Sequence, residues 1–269
     1  MTWDQLLEPG LTVRDSPLET MRFGRSITRL TIGSGPVDAD HLLTVIGDHT
    51  ADVLIVRYDA ARLDLPSTFA RSDRAVVPAG TLTYWEEPVS AAEPPTRSNL
   101  EVLPADQMDL QTVAEVVRQI VRASFQDYGN HYTADPLLER SAALAGYEDW
   151  AVRSLRETPG NVLVMTDLGE PIGMATLESG ADGSHLEILL AGLVPAAQGR
   201  RLYGSLLDGC ARVAVARGAG RMVISTQVHN VRVQRAWARH GLRPYAAIET
   251  VHLIDRDLLL AQCQREGQR

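Results

Sequence analysis

The sequence contains no lysine, since all 26 basic residues among its 269 are arginine. Catalysis by a lysine nucleophile or a lysine base is therefore excluded. Cysteine is also scarce. Cys210 and Cys263 lie far apart and form no CxxC pair, so we expect neither a disulfide framework nor a zinc site. We expect Cys210 to pack in the core on a helix.

Long apolar runs are missing as well. No run of about 18 apolar residues could span a membrane, and the N-terminal MTWDQLLEPG lacks the basic and apolar regions of a signal peptide. The sequence therefore predicts a soluble, cytoplasmic protein without a membrane segment. Its 269 residues allow one large or two small domains, since a domain has about 150 residues.

The net charge of −8 conceals a strongly basic segment. Between Gln198 and Arg243 nine arginines face one acidic residue, Asp208, which gives a local charge of +8 and leaves −8 minus +8, or −16, elsewhere. Such a field favours a polyanionic small ligand over a nucleic acid. The alternative is a solvated helix face, because several of the arginines recur at helical spacing. The nine are Arg200, Arg201, Arg212, Arg217, Arg221, Arg232, Arg235, Arg239 and Arg243.

Composition and periodicity divide the chain into four segments. We predict a small α/β unit over residues 1–86, a Pro- and Ser-rich linker over 87–99, a larger domain over 100–255, and a tail helix over 256–269. In the first unit, strands at 26–32, 51–58 and 79–84 alternate with helices at 37–47 and 60–71. In the larger domain, a helix at 110–125, capped by Asp109 or Asp106, precedes strands at 162–167 and 172–178.

The segment from His185 to Gly204 reads as a strand, a turn with proline, and the start of a helix. The first N–H groups of a helix lack partners and carry partial positive charge, so they bind anions. Gly199 leaves room for a phosphate there, and two arginines add charge. This segment predicts a pyrophosphate site.

A wider pattern joins that segment to the strand at 221–228. V-P-x-x-Q-G is followed by Asn230 and then by W-x-x-x-G-L, and over about residues 100–255 this order resembles the GNAT superfamily. The resemblance implies an α/β (α+β) fold in which a mixed, mostly antiparallel sheet is flanked by helices, after a smaller α/β N-terminal unit. It also implies an N-acyltransferase that takes an acetyl or other acyl group from acetyl-CoA, with no metal.

A second, closer resemblance concerns the acceptor. The stretch after residue 14, with Tyr203, is similar to the dTDP-fucosamine acetyltransferase-like sugar N-acetyltransferases. This similarity implies a small-molecule amine as acceptor, such as an amino sugar or a natural-product intermediate. The residues that carry it are Asp15, Ser16, Phe23, Gly24, Ile27, Arg29 and Leu30.

The superfamily resemblance also assigns site residues. The strand before the turn would splay from its neighbour, with the amide near Val194 as oxyanion donor and Gly192 permitting close approach. Tyr128, His131 and Asp135 would bind the acceptor. The residues implied in acetyl-CoA binding are Leu193, Val194, Gln198, Gly199, Arg200, Arg201, Leu202, Tyr203, Gly204, Asn230 and Trp237.

Two positions depart from the pattern and leave roles open. Arg201 replaces the middle glycine of the phosphate loop, and Trp237 replaces the tyrosine that protonates the leaving thiolate. Indole is no practical acid, so Tyr203, Tyr128 and Tyr132 remain candidates for that role. For the base, we consider Glu187, His131 and Asp127; Glu187 is favoured by position and histidine by its ordinary pKa.

Three alternatives stay open at this point. The acyl group could come from a carrier-protein thioester or from aminoacyl-tRNA, although the global acidity argues against tRNA. Arg201 and Trp237 would also fit a non-catalytic binding protein. The sequence leaves a homodimer open.

Overall fold

The computed structural model describes residue 4, residues 8–90 and residues 99–266. The chain forms two compact units. Unit 1 comprises residues 1–83, 129–143 and 246–269, and unit 2 comprises residues 84–128 and 144–245. The division differs from the predicted one, because a segment near the middle of the chain and the last strand belong with the N-terminal part.

Unit 1 is a twisted sheet with the strand order β1-β2-β3-β10-β4. β2 and β3 are parallel, whereas β1 with β2 and β3 with β10 are antiparallel. Its elements are β1 (Leu11–Asp15), α1 (Pro17–Phe23), β2 (Ile27–Ile32), α2 (Ala39–Asp48), β3 (Val53–Asp59), α3 (Leu65–Phe69), β4 (Ala75–Pro88, to residue 83), a 3-10 turn (His131–Ala134), β10 (Arg243–Ile254, from residue 246) and α8 (Arg256–Glu266).

The central strand β3 is buried on both faces, as its apolar run VLIV predicts. Leu54 and Val56 pack with Leu42 and Phe69 from α2 and α3. Val53 and Ile55 pack on the opposite face with a cluster that includes Leu137. The predicted helix at 60–71 is shorter than expected, because only Leu65–Phe69 is helical.

Unit 2 carries the strand order β4-β9-β8-β7-β6-β5. β8 and β9 are parallel, and the pairs from β5 to β8 are antiparallel. Its elements are β4 from residue 84, β5 (Leu100–Pro104), α4 (Leu110–Phe125), α5 (Arg140–Glu157, from residue 144), β6 (Val162–Asp167), β7 (Glu170–Ser179), β8 (His185–Leu193), α6 (Tyr203–Ala216), β9 (Arg221–Gln227) and α7 (Val231–His240).

Two helices of unit 2 show features that the sequence predicts. The Asp109 carboxylate accepts a hydrogen bond from the Thr112 amide at 2.9 Å and so caps α4. Cys210 on α6 is fully buried in the core, as predicted, and burial raises the pKa of its thiol to about 12. That thiol is inert.

The predicted fold class is confirmed: the chain is a mixed α/β protein whose mostly antiparallel strands are flanked by helices. The predicted linker overlaps β4, which extends to Pro88, and residues 91–98 of it lie outside the described residues. Among the helices that the structure describes, none has the length and apolarity that crossing a membrane requires. The described residues hold no group of three His, Cys, Asp or Glu side chains suited to a metal ion.

Candidate functional site

The two parallel strands of unit 2 separate after a short paired stretch. β8 and β9 pair from His185 with Arg221 to Ile188 with Ile224, and β8 then continues for five residues without β9 as a partner. At this point the register of β8 against β7 shifts, because Leu177 faces Ile188 while Thr176 faces Leu190. The extra residue is a β-bulge, which bends a strand and re-aims its side chains. The predicted splay is therefore present in the structure.

Backbone groups at the end of β8 point in alternating directions. The Val194 amide donates to the Ile172 carbonyl at 2.9 Å, so it is not free to act as the predicted oxyanion donor. In an antiparallel pair the next residue turns its N–H and C=O away from the neighbouring strand. The Leu193 carbonyl accordingly accepts hydrogen bonds from Ser124 Oγ and Gln198 Nε2, both at 3.0 Å. The Leu193 N–H points to the splayed side.

Gly192 serves a different purpose from the one predicted. A Cβ at this position would lie 2.8 Å from both Cβ and Oγ of Ser124. The glycine thus lets α4 approach β8 closely, and the resulting contact places Ser124 on the Leu193 carbonyl.

The loop between β8 and α6 has two residues in the left-handed conformation. Gly199 has φ +77° and Arg201 has φ +60°. The positive φ of Arg201 explains why the superfamily pattern has glycine at this position, because a residue with a side chain costs about 1–2 kcal/mol in this conformation. The loop leads into the 14-residue helix α6, whose first N–H groups have no intrahelical partner.

Three side chains of this loop contact the protein itself. Arg200 forms an ion pair with Asp167 of β6 at 2.8 Å, and Leu202 is buried in the core. Gln198 binds the Leu193 carbonyl. Arg201 is exposed and pairs with no acidic side chain in the described residues. For the predicted anion site, the loop backbone from Gly199 to Gly204 and the Arg201 side chain therefore remain.

A hydrogen-bonded group lies at the end of β9, just beyond the last pair with β8. The Gln227 amide donates to Tyr128 Oη at 3.2 Å, and Tyr128 Oη lies 3.3 Å from Thr226 Oγ1. Asn230 Nδ2 donates to the same Thr226 oxygen at 3.0 Å. The structure thus brings together two predicted site residues, Tyr128 and Asn230, through Thr226, which carries no sequence motif.

Trp237 lies in the core of unit 2 and is only 1% exposed. Its ring meets Trp85 edge to face with centroids 6.1 Å apart. Its indole Nε1 is buried beside the Tyr203 phenol. Burial raises the pKa of the neighbouring Tyr203 phenol, which Trp237 only partly offsets. The raised pKa of the Tyr203 phenol and the non-acidic indole make both residues poor acids.

Glu187 lies on β8 opposite Glu178 of β7 and is 4% exposed. Because Leu186 and Ile188 pack with the α6 core, Glu187 points to the other face of the sheet, where α4 packs. A buried carboxylate is a candidate base because burial disfavours its charged form.

Other predicted site residues belong to unit 1. His131 Nδ1 lies 3.0 Å from His252 Nε2, and His252 Nδ1 lies 2.6 Å from the Asp135 carboxylate. All three are buried. Burial first, and then the charges of Arg57, His252 and Arg29, lower the pKa of His131 well below its usual value. His131 is therefore a neutral but weak base.

Tyr132 belongs to a second buried cluster of unit 1. Its phenol donates a hydrogen bond to the Glu19 carboxylate, which Arg29 also holds through Nη2 at 2.5 Å and Nε at 2.7 Å. Burial raises the pKa of Glu19, but Arg29, Ser16 and Tyr132 outweigh it and lower that pKa to about 2. Burial raises the pKa of Tyr132 to about 12. The periodicity of the sequence could not indicate this cluster, because Glu19 and Tyr132 lie 113 positions apart.

Comparison with known proteins agrees with this geometry. The profile described as the Acetyltransferase (GNAT) family matches residues 116–242. No curated protein is similar enough in sequence to count as a match. The closer resemblance to sugar N-acetyltransferases finds no support here.

Solved structures share the fold at low identity. A GCN5-related N-acetyltransferase from Sphaerobacter thermophilus superposes with a TM-score of 0.61 at 11% identity, over 92% of this chain and 77% of that one. A GCN5-related N-acetyltransferase from Kribbella flavida gives 0.53 at 13% identity, over 85% and 81%. At such identities the similarity shows the fold alone, whereas the family profile covers both splayed strands and the loop between them. Residues 116–242 thus match an acetyltransferase domain of the GNAT family, and on that match the protein is an enzyme.

Proposed function

We propose that the enzyme transfers an acetyl group from acetyl-CoA to the amine of a small molecule by direct attack in a ternary complex. The observation that carries this proposal is the splay of β8 from β9 beside a left-handed loop that opens α6. The splay leaves strand backbone groups for an extended amide-bearing ligand, and the helix start suits a phosphate.

The residues present fit the donor. The Leu193 N–H faces the splay, and the backbone from Gly199 to Gly204 would hold the pyrophosphate, with Arg201 as its cation. Asn230 at the end of β9 would meet the pantetheine arm. Arg200, Leu202 and Trp237 would act indirectly, since their side chains pair with Asp167 or pack in the core.

When bound, acetyl-CoA supplies an acyl thioester that an amine can attack. In this proposal the Leu193 N–H stabilises negative charge that develops on the carbonyl oxygen. Glu187 removes the proton from the attacking ammonium, directly or through water. His131 and Asp127 remain alternative bases, with His131 disfavoured by its lowered pKa.

For the acceptor we propose an amino sugar or a natural-product intermediate, bound with help from Tyr128 and acetylated in the cytoplasm. The sugar part rests on the sequence resemblance near the N-terminus.

A carrier-protein thioester is a second candidate donor, favoured by one surface. Val228 and Val231 are 51% and 49% exposed, and Arg232 and Arg235 beside them have no acidic partner among the described residues. An apolar patch rimmed by cations suits an acidic partner.

Calorimetric titration with acetyl-CoA tests the donor. We expect micromolar binding that weakens with salt and that Arg201→Gln weakens further, because the substitution removes a cation at the loop. Arg14→Gln, which removes an exposed arginine of β1 in unit 1, is the matched control and should bind as the wild type does. No detectable binding would overturn acetyl-CoA as donor, and the same titration with an acylated carrier protein would then test the second candidate.

A further inference from the structure

Transfer of an acyl group from a thioester releases a thiolate that must be protonated. Trp237 stands where the resembling pattern has a tyrosine for this task, and its indole is buried and non-acidic. The enzyme therefore needs another acid. Three tyrosines were open candidates from the sequence, and hydrogen bonding now distinguishes them.

Two of the three tyrosines are unsuited. Tyr203 is packed beside Trp237, where burial raises the pKa of its phenol. The Tyr132 phenol already donates its proton to the Glu19 carboxylate. Neither proton is available to a leaving group.

Tyr128 differs because its surroundings leave one hydroxyl proton without an acceptor. The Tyr128 oxygen accepts from the Gln227 amide, and the Thr226 oxygen accepts from Asn230 Nδ2. The two hydroxyls share a single contact of 3.3 Å, in which one donates and the other accepts. One of the two hydroxyl protons therefore has no hydrogen-bond acceptor among the described residues. The phenol is the stronger acid of the pair.

Tyr128 also lies at the right place in unit 2. Gln227 is three positions beyond Ile224, the last residue of β9 that pairs with β8. Its amide donates to the Tyr128 phenol. The Tyr128 ring meets Phe125, which lies 3.4 Å from the Cβ position of Gly192 on the part of β8 that β9 does not pair. The phenol thus lies just beyond the last β8–β9 pair, on the side of β8. Asn230, which is expected near the leaving sulfur, belongs to the same network.

We propose that Tyr128 is the general acid that protonates the leaving thiolate, an inference that rests on the proposed acyl transfer. As the amine nitrogen forms its bond to the acyl carbon, the carbon–sulfur bond breaks and its electron pair goes to sulfur. Sulfur then takes the phenolic proton of Tyr128. The Gln227 amide and the Thr226 hydroxyl stabilise the phenolate, which regains a proton from water.

The test is Tyr128→Phe, assayed by thiol release and by acetylated product. We expect kcat to fall about 10²-fold or more, as for loss of a general acid, while the KM for acetyl-CoA stays within about twofold. Tyr58→Phe is the matched control, since it removes a buried phenol of β3 in unit 1, whose ring packs on Phe69; its kcat should equal that of the wild type.

A second variant separates acid catalysis from packing. Replacement of Tyr128 by 3,5-difluorotyrosine keeps the ring and makes the phenol more acidic. The alkaline limb of the kcat profile should then move to lower pH. The inference would be overturned if the alkaline limb of the kcat profile did not move, or if Tyr128→Phe kept the kcat of the wild type. The proposed acyl transfer would still stand in either case. If the wild type binds acetyl-CoA but acetylates no amine, the proposed function fails instead.

Discussion

The Val194 amide donates a hydrogen bond of 2.9 Å to the Ile172 carbonyl, and this bond determines which backbone group faces the splayed side of β8. Since antiparallel neighbours alternate, Leu193 turns its N–H toward that side. Ser124 and Gln198 bind the Leu193 carbonyl and hold the strand end in place. One residue of register therefore decides whether the N–H of Leu193 or that of Val194 faces the splayed side.

Glu187→Gln tests the proposed base. We expect kcat to fall about 10²-fold or more and the acidic limb of the pH profile to disappear, because an amide cannot accept the ammonium proton. Steady-state kinetics across pH measure both effects. Glu178→Gln alters the exposed partner of Glu187 in the same strand pair and should leave kcat unchanged. Equal losses in both variants would argue for a general effect of charge rather than a base.

Arg201→Gly should raise the free energy of unfolding by up to about 1 kcal/mol. Relief of the left-handed side chain, worth about 1–2 kcal/mol, exceeds the entropic cost of glycine, about 0.5–1 kcal/mol. Denaturant unfolding measures the change. Leu168 also has a positive φ, of 53°, in the turn before β7, so Leu168→Gly should stabilise to a similar degree. Destabilisation by both variants would contradict this explanation of the loop.

Gly192→Ala should lower the free energy of unfolding by about 1–3 kcal/mol, because the new methyl group would overlap Ser124. The same substitution at Gly47 in α2, where a Cβ meets no atom within 4 Å, should be stabilising. Thermal or denaturant unfolding distinguishes the two. If the two variants were equally stable, α4 would not depend on the glycine for its close approach.

His240 predicts a pH dependence of stability. Its Nε2 lies 2.9 Å from Asp208 and its Nδ1 lies 2.8 Å from Glu87. The hydrogen bond to Asp208 is the main cause that raises the pKa of His240, burial opposes it, and Glu87 adds to it. Because the pKa is higher in the folded state, the stabilisation is fully present below about pH 6.5, the unfolded value, and is lost as pH rises through the folded-state pKa.

Unfolding of the wild type and of His240→Gln between about pH 6 and 9 measures this effect. The wild type should lose stability with rising pH relative to the variant, whose curve lacks the imidazolium contribution. Parallel curves would show that His240 is not charged between its two carboxylates.

Local patterns predicted the elements well, whereas contacts between distant segments could not be derived. The period of 3.6 and a carboxylate cap located α4, and alternation located β6 and β7. The bulge at Leu189 has no local signal in the sequence, so the sequence alone could not decide which amide near Val194 faces the splayed side. His252 could not be connected to His131 because they lie 121 positions apart. The pairing of β10 with β3 could not be derived either, because the two strands lie in distant parts of the chain.

The most direct test of the account is acetyl transfer by the wild-type enzyme. Incubation with acetyl-CoA and a panel of glucosamine, dTDP-linked amino sugars and simple alkylamines would be followed by thiol release and by mass spectrometry. We expect at least one amine to be acetylated, with one thiol released for each product molecule. Thiol release without acetylated amine, or no release with any acceptor while acetyl-CoA binds, would contradict the proposed N-acetyltransfer.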